Sequence, residues 1–134
     1  MPTMIRFRTS GGAYAVPIEQ AVAVRGAAEV RSLPSPAAGV AGVLTHADST
    51  VPVLTALGAG SGHVLLVADA DGRAVGVQTE EVTGLEELAA DAVGPAPAGQ
   101  DHVLVTAVAR FRSDAAFVVD VGALARTVAP TLED

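Results

Sequence analysis

Short apolar runs, separated by turn segments that contain glycine, proline or polar residues, make up most of this chain. About ten of them recur at regular spacing along the 134 residues, and several alternate apolar and polar side chains with the period of a β-strand. No run approaches the roughly 20 apolar residues that a membrane-spanning helix requires. The pattern predicts an all-β chain in which two small β-barrels pack together.

Two hairpins follow from turn residues that lie between β-prone runs. Residues 4–8 alternate between apolar and arginine side chains, and the chain returns as a strand at residues 13–18. Asp71-Gly72 joins the runs 63–68 and 73–79, and Asp-Gly between two such runs is a strong hairpin signal.

The remaining predicted elements are less regular. Residues 21–30 are predicted as a strand with a bulge at Arg25-Gly26. Pro52 has no N–H to donate, so its strand is expected to lie at a sheet edge or to begin at this residue. The other predictions are strands at 39–45, 51–54, 102–111 and 115–121, a strand or turn at 82–88, a loop at 89–100 and a terminal helix at 122–128.

The glycine-rich segment Gly58-Ala59-Gly60-Ser61-Gly62 is the best boundary candidate. Its composition is typical of a short flexible link. We therefore predict one domain over residues 1–134, with a first barrel at roughly 4–57, a second at roughly 63–121 and the helix at 122–128.

The composition restricts the classes of partner and site. The formal net charge is −7 with eight Lys and Arg residues in total, whereas nucleic-acid binding needs clustered basic side chains. The absence of cysteine excludes disulfides, zinc–thiolate sites and thiol nucleophiles, and it fits a cytoplasmic protein. We expect a soluble, cytoplasmic chain with no nucleic-acid partner and no membrane insertion.

The titratable side chains do not match a catalytic or metal-binding motif. His46, His63 and His102 have no second ligand at metal spacing, so we interpret them as surface or strand-end residues. Asp69 and Asp71 resemble the start of a calcium loop, but the third acidic position and the distal glutamate are missing. We interpret that segment as a hairpin turn.

Neither the acidic pairs nor the glycine-rich segment indicates an enzyme. The adjacent glutamates at 80–81 and 86–87 point to opposite faces of a strand, whereas hydrolysis needs carboxylates that converge in a cleft. No lysine follows the glycine-rich segment as in a phosphate loop, and no Gly-x-Ser-x-Gly motif is present. We predict a non-enzymatic protein with no cofactor, no metal and no small-molecule substrate.

Several motifs, in order and at near-family spacing, resemble those of the CheW family, the adaptors of bacterial chemotaxis arrays. The central one runs from Gly42 to Pro52-Val53 with the spacing of the family's Gly-x-x-Asn-Leu-Arg-Gly, three residues and Pro-Val. The others are Leu33-Pro34, Tyr14-Ala15-Val16-Pro17-Ile18, Gly76-Val77-Gln78-Thr79-Glu80-Glu81-Val82 and Phe117-Val118-Val119-Asp120-Val121-Gly122-Ala123-Leu124. The resemblance covers roughly residues 4–128 and implies two SH3-like five-stranded barrels, together a single CheW-like domain.

The polar positions inside the central motif depart from the family. The family's Asn-Leu-Arg-Gly is replaced by Thr45, His46, Ala47 and Asp48. Ala47 therefore stands where the resemblance implies an arginine used in array contacts, and Thr55 stands where an aspartate usually follows. Alanine lacks the planar fork of donors with which arginine binds carboxylates. The departure concerns partner binding rather than the fold.

The resemblance implies an adaptor that bridges the cytoplasmic tip of a chemoreceptor and the regulatory domain of the histidine kinase CheA, which has the same two-barrel fold. The expected partner-binding residues lie in the central motif and at the family's acidic position after the second hairpin. They are Thr45, His46, Ala47, Asp48, Val51, Pro52, Val53 and Glu80.

Two other functions stay open at this point. The missing arginine at position 47 fits a CheW-like scaffold that serves another signalling or motility system. An enzyme or small-ligand binder with acidic residues in a cleft between the barrels is a third class, and a deep pocket with clustered Asp and Glu would support it.

Overall fold

The computed structural model describes residues 2–34, 39–95, 104–112 and 114–127. The strands are β1 (Thr3–Thr9), β2 (Gly12–Pro17), β3 (Ala21–Gly26), β4 (Val40–His46), β5 (Ser49–Leu54), β6 (His63–Ala68), β7 (Ala74–Thr79), β8 (Glu81–Glu87), β9 (Val93–Pro95), β10 (Val105–Arg110) and β11 (Ala115–Val119), and the α-helix is α1 (Val121–Arg126). The predicted all-β class with a short helix is confirmed. No helix in the described part of the chain has the length and apolar character of a membrane span.

The strands form two sheets. One has six strands in the order β8-β1-β2-β11-β10-β9, and the other has five in the order β3-β6-β7-β5-β4. The two predicted hairpins are confirmed as the antiparallel pairs β1–β2 and β6–β7, and the later predicted strands pair in the same way as β10–β11. Two pairs of strands that are distant in sequence, β2 with β11 and β5 with β7, run parallel.

The strands are divided between the sheets differently from the prediction. The predicted first barrel, residues 4–57, contains β1 and β2, but these strands pair with β8 and β11 in the six-stranded sheet. The predicted second barrel, residues 63–121, contains β6 and β7, which pair with β3 and β5 in the five-stranded sheet. The sheets therefore do not divide at the glycine-rich segment, because long-range pairing rather than chain order assigns the strands.

The five-stranded sheet closes into a barrel at a glycine. Val43 of the end strand β4 and Arg31, which follows the opposite end strand β3, exchange backbone hydrogen bonds of 2.9 and 2.7 Å. A Cβ on Gly42 would lie only 2.4 Å from the Arg31 carbonyl oxygen. The glycine that opens the central motif is thus required for the two end strands to approach.

Strand β6 contributes to two separate cores. Val64 and Leu66 pack with Leu44 in the interior of the five-stranded barrel, whereas Leu65 and Val67 belong to the core between the two sheets. These four side chains are fully buried, two on each face of the strand, because successive side chains point to opposite faces and both faces of β6 are covered. Its continuous apolar sequence is therefore typical of a strand covered on both sides.

The core between the sheets joins the two halves of the fold. Phe7 from β1 and Val119 from β11 meet Leu65 from β6, and Leu124 from α1 closes one side. A further cluster around Met4 fills the interior of the six-stranded sheet. Burial of these apolar side chains is the main favourable contribution to folding.

The glycine-rich segment is fixed rather than flexible, so that prediction is wrong. The Ala59 carbonyl oxygen accepts from the Ser10 N–H at 2.8 Å, and the Ala59 N–H donates to the Ser10 hydroxyl at 2.8 Å. A Cβ on Gly60 would lie 2.2 Å from the Thr79 carbonyl carbon and 2.4 Å from the Glu80 nitrogen. The glycine is present because two backbones pass in direct contact.

Pro52 lies inside β5, which is an internal strand, so the predicted edge or strand-start position is wrong. At the paired residue Val43, the backbone groups face Arg31 on the side away from β5. The Pro52 nitrogen therefore points away from β4, and the pairing of β5 with β7 begins only at Val53. Pro52 therefore lacks its N–H at the residue just before the β5–β7 pairing begins, where no ladder hydrogen bond is lost.

The bulge predicted at Arg25-Gly26 lies elsewhere. The register of β3 shifts between Ala21 and Ala23, and β3 ends at Gly26 where a 3₁₀ turn begins. The glycine therefore marks the end of a strand rather than an irregularity within it.

The later part of the chain contains more regular structure than predicted. The ambiguous run 82–88 forms β8, and the predicted loop 89–100 contains a 3₁₀ turn and the short strand β9. Residues 96–103 and Val128, which belong to the predicted loop, strand and helix, lie outside the described residues.

Candidate functional site

Four of the predicted partner-binding residues lie at the β4–β5 hairpin. His46 and Ser49 form the last pair of the ladder, so Ala47 and Asp48 make a two-residue turn. Both turn residues have positive φ angles, 50° and 66°, as in the type I′ turns that match the twist of hairpin strands. Thr45 and the two turn residues are exposed, and His46 is partly buried. We refer to residues 45–48 as the hairpin surface.

Val51, Pro52 and Val53 are buried, so their side chains are not accessible to a partner in this fold. Val51 and Val53 are only 3% and 0% exposed and pack in the interior of the five-stranded barrel. The edges of β5 are covered as well, because β4 and β7 lie on either side. Val51 and Val53 anchor the strand that follows the hairpin surface by packing in the barrel interior.

Glu80 is exposed but lies far from the hairpin surface. β5 and β7 run parallel, with Val53 opposite Gly76. The hairpin turn precedes β5 and Glu80 follows β7, so the two lie at opposite ends of the barrel, about 25 Å apart at ~3.3 Å per residue. The Glu80 N–H donates to the Arg8 carbonyl oxygen at 2.7 Å and so connects the two sheets.

Arg25 holds the hairpin surface from β3, which barrel closure brings beside β4. Its Nη1 donates to the Thr45 carbonyl oxygen at 3.2 Å and lies 3.2 Å from His46 Nδ1. Because a guanidinium only donates, this contact requires an unprotonated Nδ1 on His46 as the acceptor. Arg25 Nε also donates to Glu29 Oε1 at 2.9 Å.

Glu29 orients the Arg25 guanidinium. Its Oε2 accepts the Gly26 N–H at 3.1 Å. The hydrogen bond from Arg25 lowers the pKa of Glu29, and the Gly26 N–H lowers it further; the same side-chain contact raises the pKa of Arg25. Arg31 brings a second guanidinium to this place, with Nη2 3.3 Å from the Thr45 hydroxyl.

Sequence analysis missed Arg25, Glu29 and Arg31 as members of this surface. The (i, i+4) spacing of Arg25 and Glu29 was the available signal for their ion pair. Their contact with Thr45 and His46 depends on closure of the barrel, which no local pattern records. The turn itself has alanine at position 47, but Arg25 and Arg31 lie beside it in the folded chain.

Val22 and Val24 form an exposed apolar patch on β3. Their side chains are 46% and 45% exposed. Val24 lies opposite Leu65 of β6, whose side chain belongs to the core between the sheets. Paired residues share a face, so Val24 extends that core to the surface.

Two surface cavities lack the features of an acidic active site. The larger, about 330 Å³, is lined by Ala13, Val108, Ala115, Ala116 and Phe117, none of which titrates. The smaller, about 140 Å³, contains the carboxylates of Glu81 and Asp114, and Asp114 accepts a hydrogen bond from Arg6 at 2.7 Å. Neither cavity supports the hypothesis of an acidic-cleft enzyme.

The Asp69 carboxylate stabilises the β6–β7 turn. Its Oδ1 accepts the backbone N–H groups of Asp71 and Arg73, each at 2.9 Å, and Oδ2 accepts from Arg73 Nε at 3.0 Å. Burial opposes the charge on Asp69, but these hydrogen bonds and the guanidinium outweigh it and lower its pKa.

No group of three His, Asp or Glu side chains within the described residues converges as a metal site; His102 lies outside them.

Comparison with known proteins identifies sequence and fold relatives. The family model for the CheW-like domain matches residues 3–129. Among solved structures, the scaffolding protein TtCheW from Thermoanaerobacter tengcongensis has a similar fold, with a TM-score of 0.77 and 15% sequence identity over 90% of each chain. No curated protein matches the chain in sequence.

Proposed function

The chain belongs to the CheW-like domain family, and on that premise we propose that it is a non-enzymatic, cytoplasmic adaptor that couples chemoreceptors to the histidine kinase CheA. The family match over residues 3–129 and the two-barrel fold support this role. Of the two cavities, the larger is lined by side chains that do not titrate, and in the smaller one Glu81 and Asp114 lie beside Arg6 and Arg8, so neither favours an acidic active site.

The exposed patch of Val22 and Val24 is the observation that carries the proposal. Val22 and Val24 are each almost half exposed, and Val24 is paired with Leu65, which belongs to the core between the sheets. An apolar stripe of a partner helix can pack against such a margin and bury it. We assign this patch to the helical tip of the receptor.

The hairpin surface is the proposed contact for the regulatory domain of CheA. Thr45, Ala47 and Asp48 are exposed there, and the Arg25 guanidinium holds the strand that precedes the turn. Arg31, whose side chain is exposed, offers donors for carboxylates from a position outside the turn, and Arg25 with its partner Glu29 fixes the backbone beside it. Binding at this surface then depends on Arg31 rather than on residue 47.

A second candidate function rests on Ala47. The loss of the family's arginine at an exposed turn is the change expected if the scaffold now serves another signalling or motility system. In that case the fold and both surfaces persist, and the captured partners differ.

Replacement of Val24 by Asp is expected to separate the two proposed contacts. A charge in the apolar patch must be desolvated when a partner helix packs on it, so receptor recovery should fall about tenfold or more, the equivalent of roughly 1.4 kcal/mol. Kinase recovery should stay within about twofold of the unmodified chain. The measurement is affinity capture from the native cell lysate, with quantitative mass spectrometry of receptor and kinase.

Leu85→Asp is the matched control, because Leu85 is also exposed, at 60%, but lies on β8 of the other sheet. It should capture both partners normally. Equal receptor recovery with Val24→Asp and the unmodified chain would show that the patch is not the receptor contact.

A further inference from the structure

Strand β8 forms an open edge of the six-stranded sheet. Among the described residues it pairs only with β1, and five of its seven residues are exposed. A free edge of this length presents unpaired N–H and C=O groups, to which another strand can add.

The ladder identifies which backbone groups point outward. Leu88 donates its N–H to the Pro2 carbonyl oxygen at 2.8 Å, in continuation of the β1–β8 pairing. Alternate residues of an antiparallel strand bond to the same neighbour, so Glu86 also faces β1. Leu85 and Glu87 therefore direct their N–H and C=O groups to the free edge.

The same strand carries an apolar side chain that a partner can cover. Leu85 is 60% exposed, the highest value among the large hydrophobic residues that are exposed in the described part of the chain. It lies opposite Ile5, which is partly buried. A partner strand paired with Leu85 would place one of its own side chains beside this leucine.

The negative charges along the β8 edge favour a partner segment that carries basic side chains. Four glutamates, and no Lys or Arg, occur in β8 and the residue before it; they are Glu80, Glu81, Glu86 and Glu87. Two copies paired through this edge would bring eight glutamates together, with no Lys or Arg in either β8 strand, and like charges on neighbouring strands are destabilising. Basic side chains on the neighbouring strand would instead pair with the glutamates.

We propose that the β8 edge binds an extended protein segment in which basic residues flank an apolar one, by strand addition at Leu85 and Glu87. The site lies on the six-stranded sheet, whereas the patch and the hairpin surface lie on the other sheet. This site is additional to the adaptor function, and the experiment that tests it does not depend on that function.

The test uses two labelled seven-residue peptides, one alternating lysine with valine and one alternating glutamate with valine. The unmodified chain should bind the lysine peptide at least about tenfold more tightly by fluorescence anisotropy. In the same complex, the Leu85 and Glu87 amide protons should exchange more slowly than in the free protein. The double variant Glu81→Lys/Glu87→Lys should reverse the peptide preference; Glu86 is kept because it accepts the Arg112 N–H.

The control variant Glu19→Lys/Asp71→Lys makes the same change in net charge at exposed positions outside β8. It should keep the preference for the lysine peptide. An equal loss in both double variants would indicate general charge attraction and overturn the proposal. Protection of Leu85 and Glu87 that rises with protein concentration alone would also overturn it, because the occupant would then be a second copy.

Discussion

Substitution of Gly60 by Ala is expected to destabilise the fold by about 3 kcal/mol, because the added methyl has no space and its neighbours are backbone atoms. The Cβ would lie 2.2 Å from the Thr79 carbonyl carbon and 2.4 Å from both the Thr79 oxygen and the Glu80 nitrogen. Relief requires movement of the chain between β7 and β8. That movement would strain the hydrogen bonds from Gly62 N–H to Thr79 and from Glu80 N–H to Arg8.

The expected observation is a fall of roughly 10 °C in the thermal midpoint, measured by circular dichroism. Gly94→Ala is the matched control, since a Cβ there meets no atom within 4 Å. It should change the stability by less than about 0.5 kcal/mol. Equal midpoints for the two variants would show that the glycine-rich segment does not contact the β7–β8 connection as described.

Substitution of Leu65 by Ala is expected to cost about 3–4 kcal/mol, because it removes buried apolar contacts and leaves a cavity between the sheets. Leu65 is 0% exposed and packs with residues of both sheets. The measurement is urea unfolding, in which the midpoint should fall while the dependence on denaturant stays unchanged.

Leu85→Ala serves as the control, with the same chemical change at a side chain that is 60% exposed. It should shift the unfolding free energy by less than about 0.5 kcal/mol. If the two sheets unfold as one cooperative unit, Leu65→Ala should show a single unfolding transition with a lower urea midpoint. A second transition that leaves one sheet folded would contradict the role of Leu65 in joining them.

The local elements of this fold are readable from the sequence. Asp71-Gly72 between two apolar runs specifies the β6–β7 hairpin, and the alternation around Phe7 specifies β1. Both signals are short-range, since they depend on turn chemistry and on the two-residue period of a strand. Patterns of this kind are sufficient for the all-β class.

The assignment of strands to sheets is not readable in this way. The pairing of Phe7 with Val82, and the parallel pairing of Val53 with Gly76, join segments that are distant along the chain. Pairing such strands requires closing a long loop, and many alternative strand pairings would fit the same local alternation of apolar and polar residues. For the same reason the sequence predicted an accessible Val53, whereas β7 and β4 enclose β5.

The hairpin surface shows a similar division. The sequence predicts strands at 39–45 and 51–54, and the structure joins them by the two-residue turn Ala47-Asp48. The contact of Arg25 with His46 spans 21 positions and exists only because the barrel closes at Gly42. Such side-chain contacts follow from the assembled fold.

The central claim, that this chain couples a receptor to a kinase, is tested most directly by co-sedimentation. Membranes that carry the native chemoreceptors are mixed with purified CheA and increasing amounts of the purified chain, then pelleted. We expect the amount of kinase in the pellet to rise with the added chain, and Val24→Asp to abolish most of this rise. Kinase that stays in the supernatant at every concentration, while the chain remains folded, would contradict the adaptor function.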